Sequence, residues 1–504
     1  MTHTSPKSIK EKIIKDTAKY NFIQYGSQFF GFIGATAMRN FLGPYLMGVW
    51  SLFRVVIDYA LYTDLGVGAA AAYKIPFFKG KGDKEKETEV TNCTFSFMFI
   101  ASIFSAATIL IATGILRNNY PPEVIAGLIV ISFYMILERL YSFYVVALRA
   151  HSNFSVINRS VVFDSIVNLI LILLLVRNFK MNGLYVTVIL MAVLNTLFVH
   201  RLARYQISFI LKLKSVVGLI KFGFPLLLLG FLGTILRSID RIMIAKMMGI
   251  TFVGYYSIAL MSKNYLEGVS NNFGIVTIPK IVEAYGKEEK VEHIKKFVTV
   301  SAEIISYLFP CLLGFVFFTI PVFVKMVMPN FIPGIVAAQI LLLDIFFRSC
   351  SPQANQFLIT LGKQTRMLPI SIIAILINIF FNYIFIKKGF GIEGVAFGTV
   401  FASCFSFLAV LIYAMKHFAG PREIINFILR IIFPLVYTTI IVLCASFFVK
   451  ISNTYVKLII NILIVAAASF PLFFYINKRT HILNTLLIYL KTSLNEAHKK
   501  IKRK

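Results

Sequence analysis

The sequence predicts an all-α, polytopic membrane protein of about fourteen transmembrane helices. It predicts two parallel six-helix lobes around a central cavity, with two further helices at the C-terminus. Three observations carry this expectation. Only 14% of the 504 residues are charged, against about 25% in soluble domains, while 58% are hydrophobic and the mean hydropathy is +0.79. Apolar runs long enough for the ~20 residues of a bilayer crossing recur along the whole chain. Finally, a pattern of glycines and lysines in the first copy returns 206 residues later.

The runs have limits near 20–41, 45–73, 91–116, 122–148, 158–177, 183–203 and 216–246, then 251–278, 297–320, 332–359, 367–387, 391–415, 424–449 and 455–477. The seventh is long, and Pro225 is a place for it to kink. Residues 1–19 are Lys-rich and polar, and the apolar stretch behind them is too long for the core of a signal peptide and lacks a small-x-small site. The first helix is therefore expected to stay in the membrane as a start signal. Lys and Arg crowd one set of loops: Lys7 to Lys19, Lys74 to Lys86, Arg201 to Lys221, Lys280 to Lys296, and the tail ending HKKIKRK. That asymmetry predicts both termini on the cytoplasmic side, with the tail as a membrane-surface anchor. The net charge of +29 then belongs to loops facing anionic lipid rather than to a nucleic-acid interface.

Adding 206 turns Gly43, Gly48, Ser51 and Tyr59 into Gly249, Gly254, Ser257 and Tyr265. The same shift turns Gly68, Gly80, Lys81 and Lys84 into Gly274, Gly286, Lys287 and Lys290. The offset covers about six spans, and an even number keeps both copies in one orientation, which predicts a parallel repeat. The expected domains are 1–203 and 204–415 as the two lobes, 416–477 as the extra helices and 478–504 as the basic tail. The extra helices could form a groove for a lipid tail or simply pack on the second lobe. Two similar bundles fit both a stable paired scaffold and lobes that rock about a central site. Charges at span depth favour the second reading.

Here the residues resemble a known family. LGPYLMGVWSLFRVVIDYALYTDLGVG (42–68) is similar to the second-helix signature of Wzx-type polysaccharide flippases, in the MOP (MATE-like) exporter superfamily. FPLLLLGFLGTILRSIDRIMIAKMMGITFVGYYSIA (224–259) resembles the signature opening their second half, with its Asp240-Arg241 pair. GIEGVAFGTVFAS (391–403) resembles the start of their twelfth helix. The resemblance implies export of an undecaprenyl-diphosphate-linked oligosaccharide across a bacterial inner membrane for surface polysaccharide (O-antigen, capsule or exopolysaccharide) biosynthesis. It implies no enzyme activity, and membrane lipids, a polysaccharide polymerase and H+ or Na+ as the further partners to consider.

The charges at span depth form a second pattern, independent of the family resemblance. With residues near the ends of spans counted among the loops, seven basic residues fall within the spans: Arg39, Arg54, Arg139, Arg237, Arg241, Lys263 and Arg348. Arg54 and Asp58 reappear 209 residues later as Lys263 and Glu267, and Arg139 reappears as Arg348. Spacing i to i+4 lets Arg54–Asp58, Lys263–Glu267 and Asp344–Arg348 pair within their helices. Two readings compete. Such pairs can exist only to neutralise each other and tie helices together, or the excess base can meet an anionic headgroup, for which guanidinium geometry suits phosphate oxygens. On the second reading Arg54, Lys263, Arg139 and Arg348 bind substrate. Arg39 and Arg237 lie towards the outer face and either snorkel, lock a gate or assist binding. Asp58, Asp64, Glu138, Asp240, Glu267 and Asp344 are coupling groups or counter-ions. Gln28, Tyr59, Tyr62, Asn264, Tyr265, Asn271 and Asn272 are weaker candidates for sugar contacts.

Other chemistry finds little footing. The chain has no GxxxxGK[ST] loop for ATP and no HExxH or CxxC spacing, so neither metal nor cofactor is expected. The loops are too short for a catalytic domain, which argues against an integral-membrane polymerase or ligase. A multidrug or cation antiporter of the same fold, and a flippase for the peptidoglycan lipid precursor, remain as alternatives.

Overall fold

The structure, a computed structural model, describes residues 6–151, 153–203, 205, 207–268 and 291–480, with side chains from 23 onward except 291–294, 296, 297, 479 and 480. Gly274, Gly286, Lys280, Lys287 and Lys290, the sugar candidates Asn271 and Asn272, and the tail beyond 480 lie outside the described residues. The chain is helical, with no strand among the described residues. A bilayer core offers backbone groups no water, so each span must close its own hydrogen bonds, and a helix does so.

In order, the helices are α1 (Pro6–Ala60), α2 (Val67–Lys81), α3 (Lys84–Leu116), α4 (Pro122–Ala150), α5 (Phe154–Leu171), α6 (Arg177–Ala203) and α7 (Leu213–Met247). Next come α8 (250–268), α9 (Val291–Val327), α10 (Ile335–Cys350), α11 (Pro352–Thr360), α12 (Met367–Lys387), α13 (Gly391–Met415), α14 (Pro421–Phe448) and α15 (Thr454–Thr480). Among the described residues, 11 helical stretches are long and apolar enough to cross a membrane. Two of them, Ile23–Asp64 with 42 residues and Phe154–Ala203 with 50, each match two crossings of ~20 residues. The predicted eighth span, 251–278, runs past the last described residue of α8. Large apolar side chains stand outward along the helices, as lipid-facing residues do: Phe104, Ile111 and Ile115 on α3, Phe447 and Phe448 on α14, Phe470 on α15.

Several predicted boundaries need correction. The first two spans are one run of helix up to Ala60, bent at Gly43, whose φ of 73° only glycine takes easily; Pro44 follows directly. The predicted span 45–73 is in turn broken. It ends in a 3-10 turn, Leu61–Asp64, passes Leu65 and Gly66 in left-handed conformation, and restarts as α2. Gly66 is required there, because a Cβ would fall 2.5 Å from the backbone of Gly223 on α7. The predicted span 332–359 is broken between Cys350 and Pro352, where proline opens α11 at its first turn. By contrast α7 continues through Pro225 without a non-helical residue. Lys180, with φ 49°, bends α6 near the predicted loop between the fifth and sixth spans.

The chain divides into two compact units. The first comprises Met1–Met261, Val327–Gly334 and Met367–Gly398; the second comprises Ser262–Met326, Ile335–Arg366 and Thr399–Lys504. In the first unit, one core joins α2, α3 and α7 through Val67, Ala71, Ile75, Val90 and Leu219. Another joins α3, α4, α5 and α6 through Met98, Phe143, Leu148, Ile157 and Val199. The connection before α7 is pinned to α3. Ser208 N–H donates to Asn92 Oδ1, Ile210 N–H donates to Ser96 Oγ, and Lys212 bonds Glu89 at 2.6 Å. That bond raises the Lys212 ammonium above the ordinary lysine range. In the second unit α14 and α15 pack on α9 around Cys311, Phe318, Val442 and Val465.

The repeated glycines meet one another's copies. A Cβ on Gly48 would lie 2.1 Å from the carbonyl oxygen of Ile250, and one on Gly254 would lie 1.8 Å from that of Pro44. Residue 44 shifted by 206 is residue 250, and 48 shifted is 254. Each copy thus lays the same carbonyl on the other's glycine, the reciprocity that a two-fold relation between copies produces. Gly43 and Gly249 also share left-handed backbone, φ 73° and 108°. Here the sequence repeat is a contact as well as a resemblance.

Candidate functional site

The first site lies within the first unit. A cavity of about 380 Å³ opens between α1, α4, α5 and α6. Arg54, Tyr134, Glu138, Asp164, Asn168 and Asn195 are among the polar groups on its wall, with Tyr141, Ser165 and Thr187. Tyr134 donates to Glu138 Oε2 at 2.9 Å, and Asn195 Nδ2 donates to Asp164 Oδ1 at 2.6 Å. Arg54 is exposed and, among the described residues, has no hydrogen bond or ion pair. A guanidinium at span depth without a close counter-ion is costly, and such a group marks a wet, functional surface.

Spacing predicts an Arg54–Asp58 pair, but Asp58 turns elsewhere. Its carboxylate lies 3.8 Å from Arg241 on α7, which also donates to the carbonyl of Ser51 at 3.2 Å. The same seam carries Tyr59 to Ser238 and Tyr62 to Thr234, both at 2.7 Å, with Phe231 between the rings. These two tyrosines, named above for sugar contacts, tie α1 to α7 through their hydroxyls.

Arg139 and Asp64 splint the broken second span. Arg139 donates to the carbonyls of Ala60 and Leu61, the open end of α1, and lies 3.8 Å from Asp64. Asp64 accepts from the N–H groups of Gly66 (3.2 Å) and Gly68 (3.1 Å), capping the start of α2. A cation at a helix C-terminus and an anion at an N-terminus are both favoured by the helix dipole. Both residues are buried, and their bonds are to structure.

Arg39, Arg237 and Asp240 are also placed. Arg39 is buried and donates to the carbonyl (3.0 Å) and hydroxyl (3.3 Å) of Ser257 on α8. Asp240 is buried and accepts from Tyr256 at 3.0 Å and Asn382 at 2.9 Å, joining α7, α8 and α12. Arg237 is exposed and donates to Thr234 one turn back.

The second site lies within the second unit, and it is closed. Asp344 is 0% exposed and sits between two cations. Lys263 Nζ lies 2.6 Å from Oδ2, and Arg348 Nε donates to both oxygens at 3.0 and 3.2 Å. Ser403 Oγ donates to Oδ1 as well. Glu267 lies 3.7 Å from Arg348. The predicted Asp344–Arg348 pair is present, whereas Lys263 turns from Glu267 to Asp344. A fully buried carboxylate draws the nearest cations, because an unpaired charge there costs several kcal/mol. Lys263 is itself 4% exposed. Among the described residues the network holds two cations and two anions.

The two copies therefore differ in one decisive residue. Moving 209 positions back from Asp344 gives Met135, fully buried on α4. The first copy has no carboxylate where the second holds its central one, so Arg54 stands open while Lys263 is closed in. Asp164, Asn168 and Asn195 have no counterpart in the charge repeat, so the pattern of shared charges does not point to them. Asp164 was discoverable as a carboxylate inside the fifth apolar run, with Asn168 one turn on.

Comparisons with known proteins agree with the fold. No curated protein matches the chain. Among solved structures, the inward closed lipid II flippase MurJ superposes with a TM-score of 0.70 at 12% identity, over 92% of this chain and 99% of that one. An inward-facing multidrug resistance MATE transporter of the MOP superfamily gives 0.64 at 17% identity, over 80% of this chain and 95% of that one. A MOP transporter from Pyrococcus furiosus Vc1, described by the reverse polarity of its binding pocket, gives 0.61 at 18% identity, over 80% and 95%. These likenesses establish the fold. The family described as polysaccharide biosynthesis protein matches residues 41–331, well over half of the chain, and bears out the resemblance to Wzx-type flippases. The chain belongs to that polysaccharide biosynthesis family, as a multi-pass membrane protein with the MOP-superfamily transporter fold.

Proposed function

We propose that this protein moves an undecaprenyl-diphosphate-linked oligosaccharide from the cytoplasmic to the outer leaflet of a bacterial inner membrane, by alternating access of the lobes 1–203 and 204–415. Both termini are then cytoplasmic, and the product feeds polymerisation of a surface polysaccharide. The observation that carries the reading is Arg54, a guanidinium at span depth with no ion pair or hydrogen bond among the described residues, on the wall of a polar cavity. A diphosphate supplies the charge that Arg54 lacks. The family description and the fold shared with a lipid II flippase support a lipid-linked glycan as cargo.

Roles follow from surroundings. Arg54 anchors the phosphate, and Asn168, Asn195 and Tyr134 offer the amide and aromatic groups that sugars use. Lys263 and Arg348 are held by Asp344 and Glu267, so an anionic ligand reaches them only by competing with those carboxylates. Glu138, beside Arg54 in the cavity, is the coupling group for H+ or Na+, and Asp164 joins it. Arg139, Asp64, Arg39 and Asp240 hold the frame in which Arg54 is presented.

The test is replacement of Arg54 by Gln, with membrane level checked, in cells or vesicles assayed for translocation of the lipid-linked sugar. A charge-assisted hydrogen bond is worth about 1.5–3 kcal/mol, so loss of Arg54 lowers transport about 10- to 100-fold. Unchanged transport refutes the anchor. Glu138 and Asp164 also favour one second reading, export of organic cations. Efflux of a cationic dye that disappears in Glu138→Gln, with lipid-linked sugar unmoved, would establish it.

A further inference from the structure

A second cavity, of about 610 Å³, lies wholly within the second unit, away from the charges considered above. It sits where α9 and α14 begin, closed on one side by the end of α13. Its volume is in the range of small-molecule sites, about 300–1,000 Å³. Its charged walls are Lys295 and Glu303 from α9, and Glu423 and Arg430 from α14. Met415, Phe418 and Phe427 supply the apolar side.

The charges stand in two tiers. Glu423 belongs to the first turn of α14 and Lys295 to the second turn of α9, nearer the helix starts. Glu303 and Arg430 lie two turns further in, about 11–12 Å along each helix at 1.5 Å per residue. Both helices are long and apolar enough to cross a membrane, from Val298 and from Pro421, and Glu303 and Arg430 fall within those stretches. Glu303 is 3% exposed and accepts from Arg430 Nη1 at 3.0 Å. Arg430 is half-buried on the cavity wall, and this is its one hydrogen bond among the described residues, which leaves most of its five donors without a bond there. The wall as a whole carries two positive and two negative side chains.

We infer that this cavity holds the headgroup of a phosphoethanolamine lipid. In such a lipid the phosphate lies deeper and the primary ammonium lies toward water. The cavity has the matching order, Arg430 further along α14 and Glu423 nearer its start. A phosphate accepts from the open guanidinium donors, which suit its oxygens in a fork. The ammonium donates to the Glu423 carboxylate, and the glycerol end rests on Met415, Phe418 and Phe427. A purely anionic headgroup leaves Glu423 facing negative charge. A choline headgroup has no N–H to give it. The order of tiers is fixed by where the two helices start, so the inference does not depend on which leaflet that face meets. It assigns α14, which lies outside the repeat, a task separate from cargo transport.

The experiment uses the full chain purified in detergent. Binding of short-chain phosphatidylethanolamine, phosphatidylglycerol and phosphatidylcholine, and of a polyprenyl diphosphate, is measured by native mass spectrometry. Phosphatidylethanolamine is expected to bind at least fivefold tighter than the other two phospholipids and to be left in place by the polyprenyl diphosphate. Glu423→Gln, at an exposed position where the amide oxygen can still accept from the Gly420 N–H at the start of α14, is expected to erase that preference. Arg430→Gln is expected to weaken all three phospholipids about tenfold. Equal binding of the three phospholipids, a preference that survives Glu423→Gln, or displacement by the polyprenyl diphosphate overturns the inference. The last outcome would make the cavity a cargo site. No arm reads transport, so failure here leaves the proposed function standing, and failure there leaves this cavity's ligand untouched.

Discussion

Arg54 and Lys263 occupy matching places in the two copies, and their surroundings give them opposite expected behaviour. Among the described residues Arg54 makes no hydrogen bond or ion pair, so Arg54→Gln is expected to leave thermal stability within about 0.5 kcal/mol, as for an ordinary surface change, while transport falls. Lys263 completes the shell of a fully buried carboxylate. Lys263→Ala strands Asp344 beside a single cation and is expected to cost about 3–5 kcal/mol, seen as a lowered melting temperature in detergent. The pair replacement Lys263→Met with Asp344→Leu removes both charges and is expected to recover most of that loss, since buried ion pairs are often matched by well-packed apolar residues. If the single variant is as stable as the parent, the closed network is not what holds these helices. The sequence held the key to this difference in Met135 standing where the second copy has Asp344, but a pattern of shared charges draws attention away from a missing one.

At the level of elements, the glycines of the repeat are contact points. Gly48 and Gly254 each accept a carbonyl oxygen closer than a Cβ tolerates, where contacts under 3.0 Å are essentially never seen. Gly48→Ala and Gly254→Ala each force the crossing of α1 and α8 apart, and each is expected to cost about 1–3 kcal/mol by thermal melting. Gly26→Ala, with nothing within 4 Å of the added carbon, serves as the control and is expected to be neutral or stabilising. Equal melting of all three variants contradicts the reciprocal contact. The break after Ala60 makes its own prediction. Asp64→Ala removes the cap of α2 and a partner of Arg139, and a loss of about 2 kcal/mol or more is expected, with Asp64→Asn milder because an amide oxygen still accepts one N–H. That break was not visible in the sequence, because an apolar run of the right length reads as one helix. Only Gly66 pressed against Gly223 shows why the backbone must turn.

For the whole molecule, composition and the length of the apolar runs suffice for an all-α membrane fold, and the repeat offset picks out the glycines that the structure shows in contact. These properties are local or averaged, so they survive in one dimension. The site was less legible. Cations at span depth are legible in the sequence, yet spacing along a helix names neighbours on that helix only, and the partners in the structure come from other helices: Arg241 for Asp58, Asp344 for Lys263, the end of α1 for Arg139. Most of the charges proposed to meet a ligand are thereby committed to the protein itself, which narrows the cargo contact to the cavity beside Arg54. The most direct test is translocation of an undecaprenyl-diphosphate-linked oligosaccharide in vesicles containing the parent protein, Arg54→Gln, or the Lys263→Met, Asp344→Leu pair. Transport lost about 10- to 100-fold in the first variant and largely kept in the second is the predicted result. Full transport by Arg54→Gln would contradict the account.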